Sequence, residues 1–173
     1  MNSSPTETII RSATWADLPF LETLPFSSGL PSKHRNRLER QDRDEVLYLL
    51  AVRAGDICGH LLLKWNGPEL PQVRQSIPSC AEIEDFLVAP AMRNQGVGSA
   101  MLERASALCR ECGESRLGLG VGDGNPDARR LYERHGFRVV PGSAHRATWL
   151  APDGHGGEIE EHEDCTYLLK ELS

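Results

Sequence analysis

The chain has 173 residues, 39% of them hydrophobic and 25% charged, with a net charge of −6 and a pI of about 5.5. That size and balance suit one soluble globular domain over 1–173. The acidic balance argues against a chain-wide role on nucleic acid or an anionic membrane, and the longest apolar run, VLYLLAV at 46–52, is too short to span a bilayer.

In chain order, the opening MNSSPTETIIRS lacks the apolar stretch of a signal peptide. Residues 7–14 (ETIIRSAT) read as a short strand, and Thr14 is a candidate N-cap for a helix in WADLPFLETL. A basic second helix is expected over 31–43, carrying Lys33, Arg35, Arg37, Arg40 and Arg43. VLYLLAVRA and ICGHLLLKW, separated by Gly55-Asp56, have the signature of a hairpin. Residues 66–79 read as a loop, and 81–88 (AEIEDFLV) as a strand closed by Pro90. Alternation along that strand puts Glu82, Glu84, Phe86 and Val88 on one face and Asp85 on the other, unless a bulge intervenes.

The stretch MRNQGVGSAM at 92–101 then opens a helix with an apolar stripe of Val97, Met101, Ala105, Leu108 and Cys112, capped by Gly113. RLGLGV (116–121) is a strand. Pro126 starts a helix with Asn125 as N-cap, with Ala128, Leu131, Tyr132 and His135 on one face, and Gly136 stops it. FRVV (137–140) is a strand, 142–163 a long Gly- and acid-rich loop, and CTYLLKEL (165–172) the last strand. The order β-α-α-β-β-β-α-β-α-β-β implies an α+β, three-layer domain. Its sheet is mixed and mostly antiparallel, of six to seven strands, with helices on both faces.

The five cysteines have no disulfide-framework spacing and suit a reducing cytoplasm. Cys109 and Cys112 form a lone CxxC on a helix, which reads as a buried helix face. His145, His155 and His162 have no standard metal-ligand spacing, so no metal is expected.

Glycines at a helix entrance let an anion approach the free N–H groups and the positive end of the helix dipole. Gln95 to Ser99 could therefore cradle a phosphate. A Walker loop needs a lysine after the glycines, and a dinucleotide loop needs a glycine where Met101 stands; neither template is met. A plain helix-entry turn remains the alternative.

A second motif, NPDARRLYERHGF at 125–137, completes a pattern. Together the two stretches resemble the GNAT superfamily of acyl-CoA-dependent N-acetyltransferases. Its loop pattern [QR]-x-x-G-x-[GA] is met by Arg93, Asn94, Gln95, Gly96, Val97 and Gly98. Its downstream pattern is met by Asn125, Ala128, Leu131, Tyr132, Gly136 and Phe137, and V-x-P by Val88-Ala89-Pro90. The resemblance is tight over 81–140 and rests elsewhere on strand order.

The resemblance implies acetyl-CoA as donor, with its pyrophosphate on Arg93 to Ser99, its pantetheine arm along Phe86, Leu87 and Val88, and a contact at Asn125. It implies a Val88 N–H that polarises the thioester carbonyl and Tyr132 as the acid that protonates the departing thiolate. Glu84 and Glu82 are the candidate bases for the acceptor amine, and neither is a third option. The acceptor implied is a primary amine of a small molecule such as a polyamine, an aminoglycoside or an amino acid. Protein acetylation at a lysine or N-terminus and an acyl-CoA sensor without turnover are the alternatives. Edge strands near the C-terminus allow a homodimer in such proteins. The six acids of 153–164 suit a cationic acceptor, whereas the basic 33–43 segment suits an acidic one. Each also reads as a solvated face.

Overall fold

The computed structural model describes residues 7–77 and 79–173; residues 1–6 and Pro78, the latter inside the expected 66–79 loop, lie outside the described residues. Strand β1 (Thr8–Ser12) leads through a single 3-10 turn (Trp15–Asp17) into the short helix α1 (Leu18–Leu21). Thr14 and Asp17 form a capping box at this entrance, and Arg11 grips the Asp17 carboxylate through two bonds of 2.7 and 2.8 Å. Helix α2 (Ser32–Asp42) follows.

Strands β2 (Val46–Arg53) and β3 (Asp56–Gly67) form the expected hairpin. The turn is Ala54-Gly55 rather than Gly55-Asp56. Both turn residues have positive φ, 53° and 87°, as a type I′ turn needs, and Asp56 already pairs with Arg53. The 66–79 segment is not all loop: β3 runs on to Gly67, and Pro71–Arg74 form helix α3.

Strand β4 (Cys80–Val88) leads to helix α4 (Val97–Glu111), strand β5 (Arg116–Gly122), helix α5 (Pro126–Arg134) and strand β6 (Arg138–Val139). Helix α4 ends as predicted. Gly113 takes φ 82°, its N–H donates to Arg110 O, and the Glu114 N–H donates to Cys109 O. The apolar stripe differs in its second half. Val97, Met101 and Ala105 are buried, but the helix's own periodicity carries the stripe on through Leu102, Ser106 and Cys109. Leu108 is only partly buried, and Cys112 caps the helix in solvent. The CxxC is therefore a buried helix position at Cys109 alone.

The expected loop over 142–163 is a β-hairpin. Strand β7 (His145–Pro152) pairs antiparallel with β8 (Glu158–Glu171), which also contains the expected last strand. Asp153 closes the turn by accepting from the N–H groups of His155 and Gly157 at 2.7 and 2.9 Å. The β8 side of the arm is exposed throughout Glu158–Asp164, and β7 turns only His145, Ala147, Trp149 and Ala151 inward, so the arm shows little hydrophobic period or strand-rich composition.

Among the described residues the sheet has eight strands in the order β1-β2-β3-β4-β5-β8-β6, with β7 also on β8, and only β4 and β5 run parallel. One face packs Leu49, Leu61, Leu63, Ile83, Leu117 and Leu119 against Met101, Leu102 and Ala105 of α4 and Tyr132 of α5. The other packs Tyr48, Leu50 and Leu62 against Leu18 and Leu21 of α1 and Leu38 of α2. Each fully buried leucine contributes roughly 2 kcal/mol. The α+β architecture with helices on both faces is as predicted, with one more strand. Among the described residues no helix is long and apolar enough to cross a membrane.

Candidate active site

Strand β4 is where the sheet changes character. Its parallel ladder with β5 is confined to Ala81, Glu82 and Ile83 opposite Leu117, Gly118 and Leu119. Beyond Ile83 the two strands part. On the other side, Glu84 pairs with Leu62 and Leu87 with His60, so Asp85 and Phe86 together oppose Leu61. This is a β-bulge, and Asp85 carries its strain at φ 48°.

The bulge corrects the reading by alternation. Glu82 and Glu84 stand on the α2 side, beside Lys64, whereas Phe86 and Val88 join the core on the α4 side with Ile83. The four do not share a face. Asp85 also faces α2, where Lys33 and Arg37 each bind its carboxylate at 2.7 Å. Burial works against its charge, but Arg37, His60 and Lys33 outweigh it and hold the pKa at about 2.

The rest of the basic segment is also paired. Arg40 and Arg43 bind Glu45, and Arg35 lies over the Trp15 ring. The acid-rich segment divides as well: Asp164 holds Arg146, Glu161 accepts from Trp149 Nε1 at 2.8 Å, and Glu163 faces the parted strands over Gly122. Among the described residues no group of three His, Cys, Asp or Glu side chains is placed to hold a metal ion.

At the far end of β4, Pro90–Met92 form a 3-10 turn and Arg93 returns its Nε to Val88 O at 3.1 Å. Asn94 and Gly96 have φ of 59° and 83°. Gly96 is the N-cap of α4, no side chain caps that helix, and nothing lies within 4 Å of where a Gly96 Cβ would stand. The first helical bond is from Ala100 N–H to Gly96 O, which leaves the N–H groups of Val97, Gly98 and Ser99 without helical acceptors. An anion fits here by charge and by space. Gln95 is held by Arg53, whose Nη1 donates to Gln95 Oε1 at 2.8 Å, so a cation borders the loop. Sequence reasoning missed Arg53, which is brought in from β2 and has no local signal. Gly98 is closely packed: a Cβ there would stand 3.1 Å from Leu131 Cδ2, so the leucine tip would have to give way slightly for any larger residue. Ser99 Oγ lies 2.9 Å from His135 Nε2, which ties α4 to α5.

Asn125 caps α5 by accepting from the Ala128 N–H at 3.1 Å. Tyr132, 7% exposed, packs between Phe86 and Phe137 with ring centroids 6.1 Å from each. Its hydroxyl has no hydrogen-bond partner among the described residues, and burial alone pushes its pKa up, which keeps it protonated. A cleft of about 710 Å³ joins Tyr132, Asn125, Glu82, Glu84, Phe86 and Leu87, a size suited to small-molecule ligands. Its walls also include Lys33 and Arg37 of α2 and His145, Trp149 and Glu163 of the β7–β8 hairpin.

The two candidate bases differ. Glu82 is largely buried and accepts from the Tyr167 hydroxyl and the Lys64 ammonium, both at 2.9 Å. Glu84 is half exposed and lies 3.4 Å from Lys64. Burial opposes the charge on Lys64, but Glu84 and Glu82 overcome it and raise its pKa.

The Acetyltransferase (GNAT) family model matches residues 12–137. The chain belongs to that family. Streptothricin acetyltransferase of Streptomyces lavendulae is 29% identical over 70% of this chain and 59% of its own length. Aminoalkylphosphonate N-acetyltransferase of Salmonella typhimurium is 29% identical over 54% of this chain and 57% of its own. The chain thus spans under two thirds of the length of these curated relatives. Among solved structures, the ribosomal-protein-alanine N-acetyltransferase of Brucella melitensis shares the fold with a TM-score of 0.65 and 23% identity, over 95% of this chain and 99% of that one.

Proposed function

We propose that the protein transfers the acetyl group of acetyl-CoA directly to a primary amine of a small molecule. The observation that carries this reading is the parting of β4 and β5 beyond Ile83, with an uncapped helix N-terminus at one end and Tyr132 alongside. Parted strands leave backbone groups of β4 without ladder partners, which suits an extended arm bearing amides. In this reading Arg93 to Ser99 hold the pyrophosphate, Phe86 to Val88 pair with the arm, and the Val88 N–H polarises the thioester carbonyl. Tyr132 supplies a proton to the leaving sulfur. No cysteine lies in either motif, and Cys58, Cys80, Cys109 and Cys165 are buried, which favours transfer without an acyl-enzyme.

A small acceptor is supported by the size of the cleft, by its walls on α2 and the β7–β8 hairpin, and by the small-molecule acceptors named for the curated relatives. An alkylammonium is deprotonated only about one part in 2,500 at pH 7, so a proton acceptor is required as well as a binding site. The test is thiol release from acetyl-CoA with polyamines, aminoglycosides, amino acids and short peptides, with products weighed by mass spectrometry. An acetylated small amine is the expected product. Acetylation of peptides alone would replace the reading with protein acetylation, and donor binding without any transfer would replace it with a sensor.

A further inference from the structure

Strand β5 turns a bare face to the cleft. Leu117, Leu119 and Val121 enter the core, and Gly118, Gly120 and Gly122 alternate with them on the other side. Three side chains from the β7–β8 hairpin lie across this face: Tyr167 over Gly118, His145 over Gly120 and Glu163 over Gly122. His145 Nε2 lies 3.3 Å from where a Gly120 Cβ would stand. Gly120 is the first β5 residue past the last β4–β5 pair, Ile83 with Leu119. The imidazole therefore sits where the two strands begin to part, and it lines the same cleft as Tyr132.

Its hydrogen bond sets its tautomer. Nδ1 lies 2.9 Å from the carbonyl oxygen of Ser143. A carbonyl only accepts, so Nδ1 carries the hydrogen and Nε2 carries a lone pair. Nε2 has no hydrogen-bond partner among the described residues. Ser143 is itself fixed: it is buried, its Oγ accepts from the Tyr167 N–H at 3.1 Å, and its carbonyl is thereby held in place. This is the pattern of a base oriented by a third group.

The carboxylates around it are less available. Tyr167 and Lys64 both donate to Glu82, Lys33 and Arg37 hold Asp85, and Lys64 lies beside Glu84. Glu163 alone among these has no ion pair or side-chain hydrogen bond among the described residues. It neighbours the imidazole and suits an ammonium or an imidazolium. The titratable and charged groups sharing the cleft with His145 are Glu163, Cys165 and Tyr167 from β8, Glu82, Glu84 and Asp85 from β4, Tyr132 from α5, and Lys33 and Arg37 from α2.

We propose that His145 is the general base of the acetyl transfer, an assignment that rests on the reading above. Nε2 takes one proton from the acceptor ammonium: an N–H bond breaks, an Nε2–H bond forms, and the imidazolium later gives that proton to water. The freed nitrogen lone pair forms the C–N bond as the C–S bond breaks. Tyr132 gives its proton to sulfur and recovers the second proton that nitrogen sheds. The net products are the acetamide, the thiol and one proton.

Ethylamine and 2,2,2-trifluoroethylamine share a two-carbon frame, but at pH 7.5 the first is almost wholly ammonium and the second largely neutral, and the ratio of mutant to wild type for each amine cancels their difference in bulk and intrinsic reactivity. With saturating acetyl-CoA, H145A should lower kcat/KM for ethylamine by roughly 10²-fold, within the range for a lost general base. It should leave trifluoroethylamine within about 5-fold, because that amine has no proton to lose first. Added imidazole should restore part of the ethylamine rate. A second readout needs no turnover: ¹⁵N shifts of the donor-free protein at pH 8 should show Nδ1 protonated and Nε2 bare. Equal losses on both amines, no loss on either, or a proton on Nε2 would overturn the assignment. Thiol release by wild type with no amine at all would overturn the transfer reading itself.

Discussion

Tyr132, the proposed acid, and Glu84, a candidate base read from the sequence, have very different surroundings. Tyr132 is buried between two phenyl rings with its hydroxyl unpartnered, so removing the oxygen leaves the packing in place. Tyr132→Phe should lower kcat by about 10²-fold or more while KM for acetyl-CoA stays within about twofold. Steady-state kinetics with the best acceptor of the amine panel checks this; unchanged turnover would remove the tyrosine from the mechanism. Glu82 and Glu84 separate by a different measurement. Glu82→Gln leaves Lys64 short of a buried partner and should lower the melting temperature, by an amount set by about 1–3 kcal/mol. Glu84→Gln, at a half-exposed position, should leave the melting temperature nearly unchanged and act through acceptor KM. Thermal unfolding followed beside acceptor titration distinguishes the two.

At the scale of elements, the entrance of α4 and the bulge of β4 do what no single side chain does. Gly96 has φ 83° and open space around its missing Cβ, so substituting it changes conformation without a clash. Gly96→Ala should cost about 1 kcal/mol in stability and raise KM for acetyl-CoA several-fold, with Gly96→Asn intermediate because Asn tolerates the left-handed region. Chemical denaturation and donor titration of the two variants would show this order, and equal donor KM values would contradict it. The bulge at Asp85 was legible only as a possibility within AEIEDFLV. Alternation assigns Phe86 to the face of Glu84, and one extra residue in the strand reverses every face beyond it. Of the β7–β8 hairpin only the 165–172 end of β8 was legible; the rest was not, because acids, glycines and histidines predict loop. Its pairing and the Asp153 turn supply what composition does not.

At the scale of the molecule, a buried polar cluster ties α2 to the sheet and makes stability depend on pH. His34 Nδ1 lies 2.7 Å from the Tyr48 hydroxyl, and Ser27 Oγ bridges His34 and His60 at 3.3 and 3.2 Å. Burial lowers the pKa of His34 to about 3 and that of His60 to about 4, with nearby cations adding to the effect. The unfolded chain binds these protons near pH 6.5, so the stability they confer is complete above that value and is lost as pH falls toward 3–4. At pH 5 the loss should be about 2 kcal/mol for each histidine. The urea midpoint should therefore drop between pH 7.5 and 5, and His34→Gln should flatten that slope. A midpoint independent of pH over this range would contradict the buried neutral pair. Asp85, held at a pKa of about 2, adds its own loss only below about pH 4.

What the sequence by itself determined follows from local physics. Glycine and proline placement set the ends of α4 and α5, the Asn125 cap came from its side chain, and apolar periods set the core faces of β2, β3 and α4's first turns. The GNAT resemblance rested on such local features, and the family match bears it out over 12–137. What the tertiary structure decided was everything that depends on chain segments far apart. Arg53 reaches the 93–99 loop from β2, Lys33 and Arg37 cross from α2 to Asp85, and Lys64 and Tyr167 converge on Glu82. His145 reaches Gly120 because β8 pairs with both β5 and β7. These contacts join residues far apart in the sequence, and no local pattern encodes them; sheet order and one bulge bring them together.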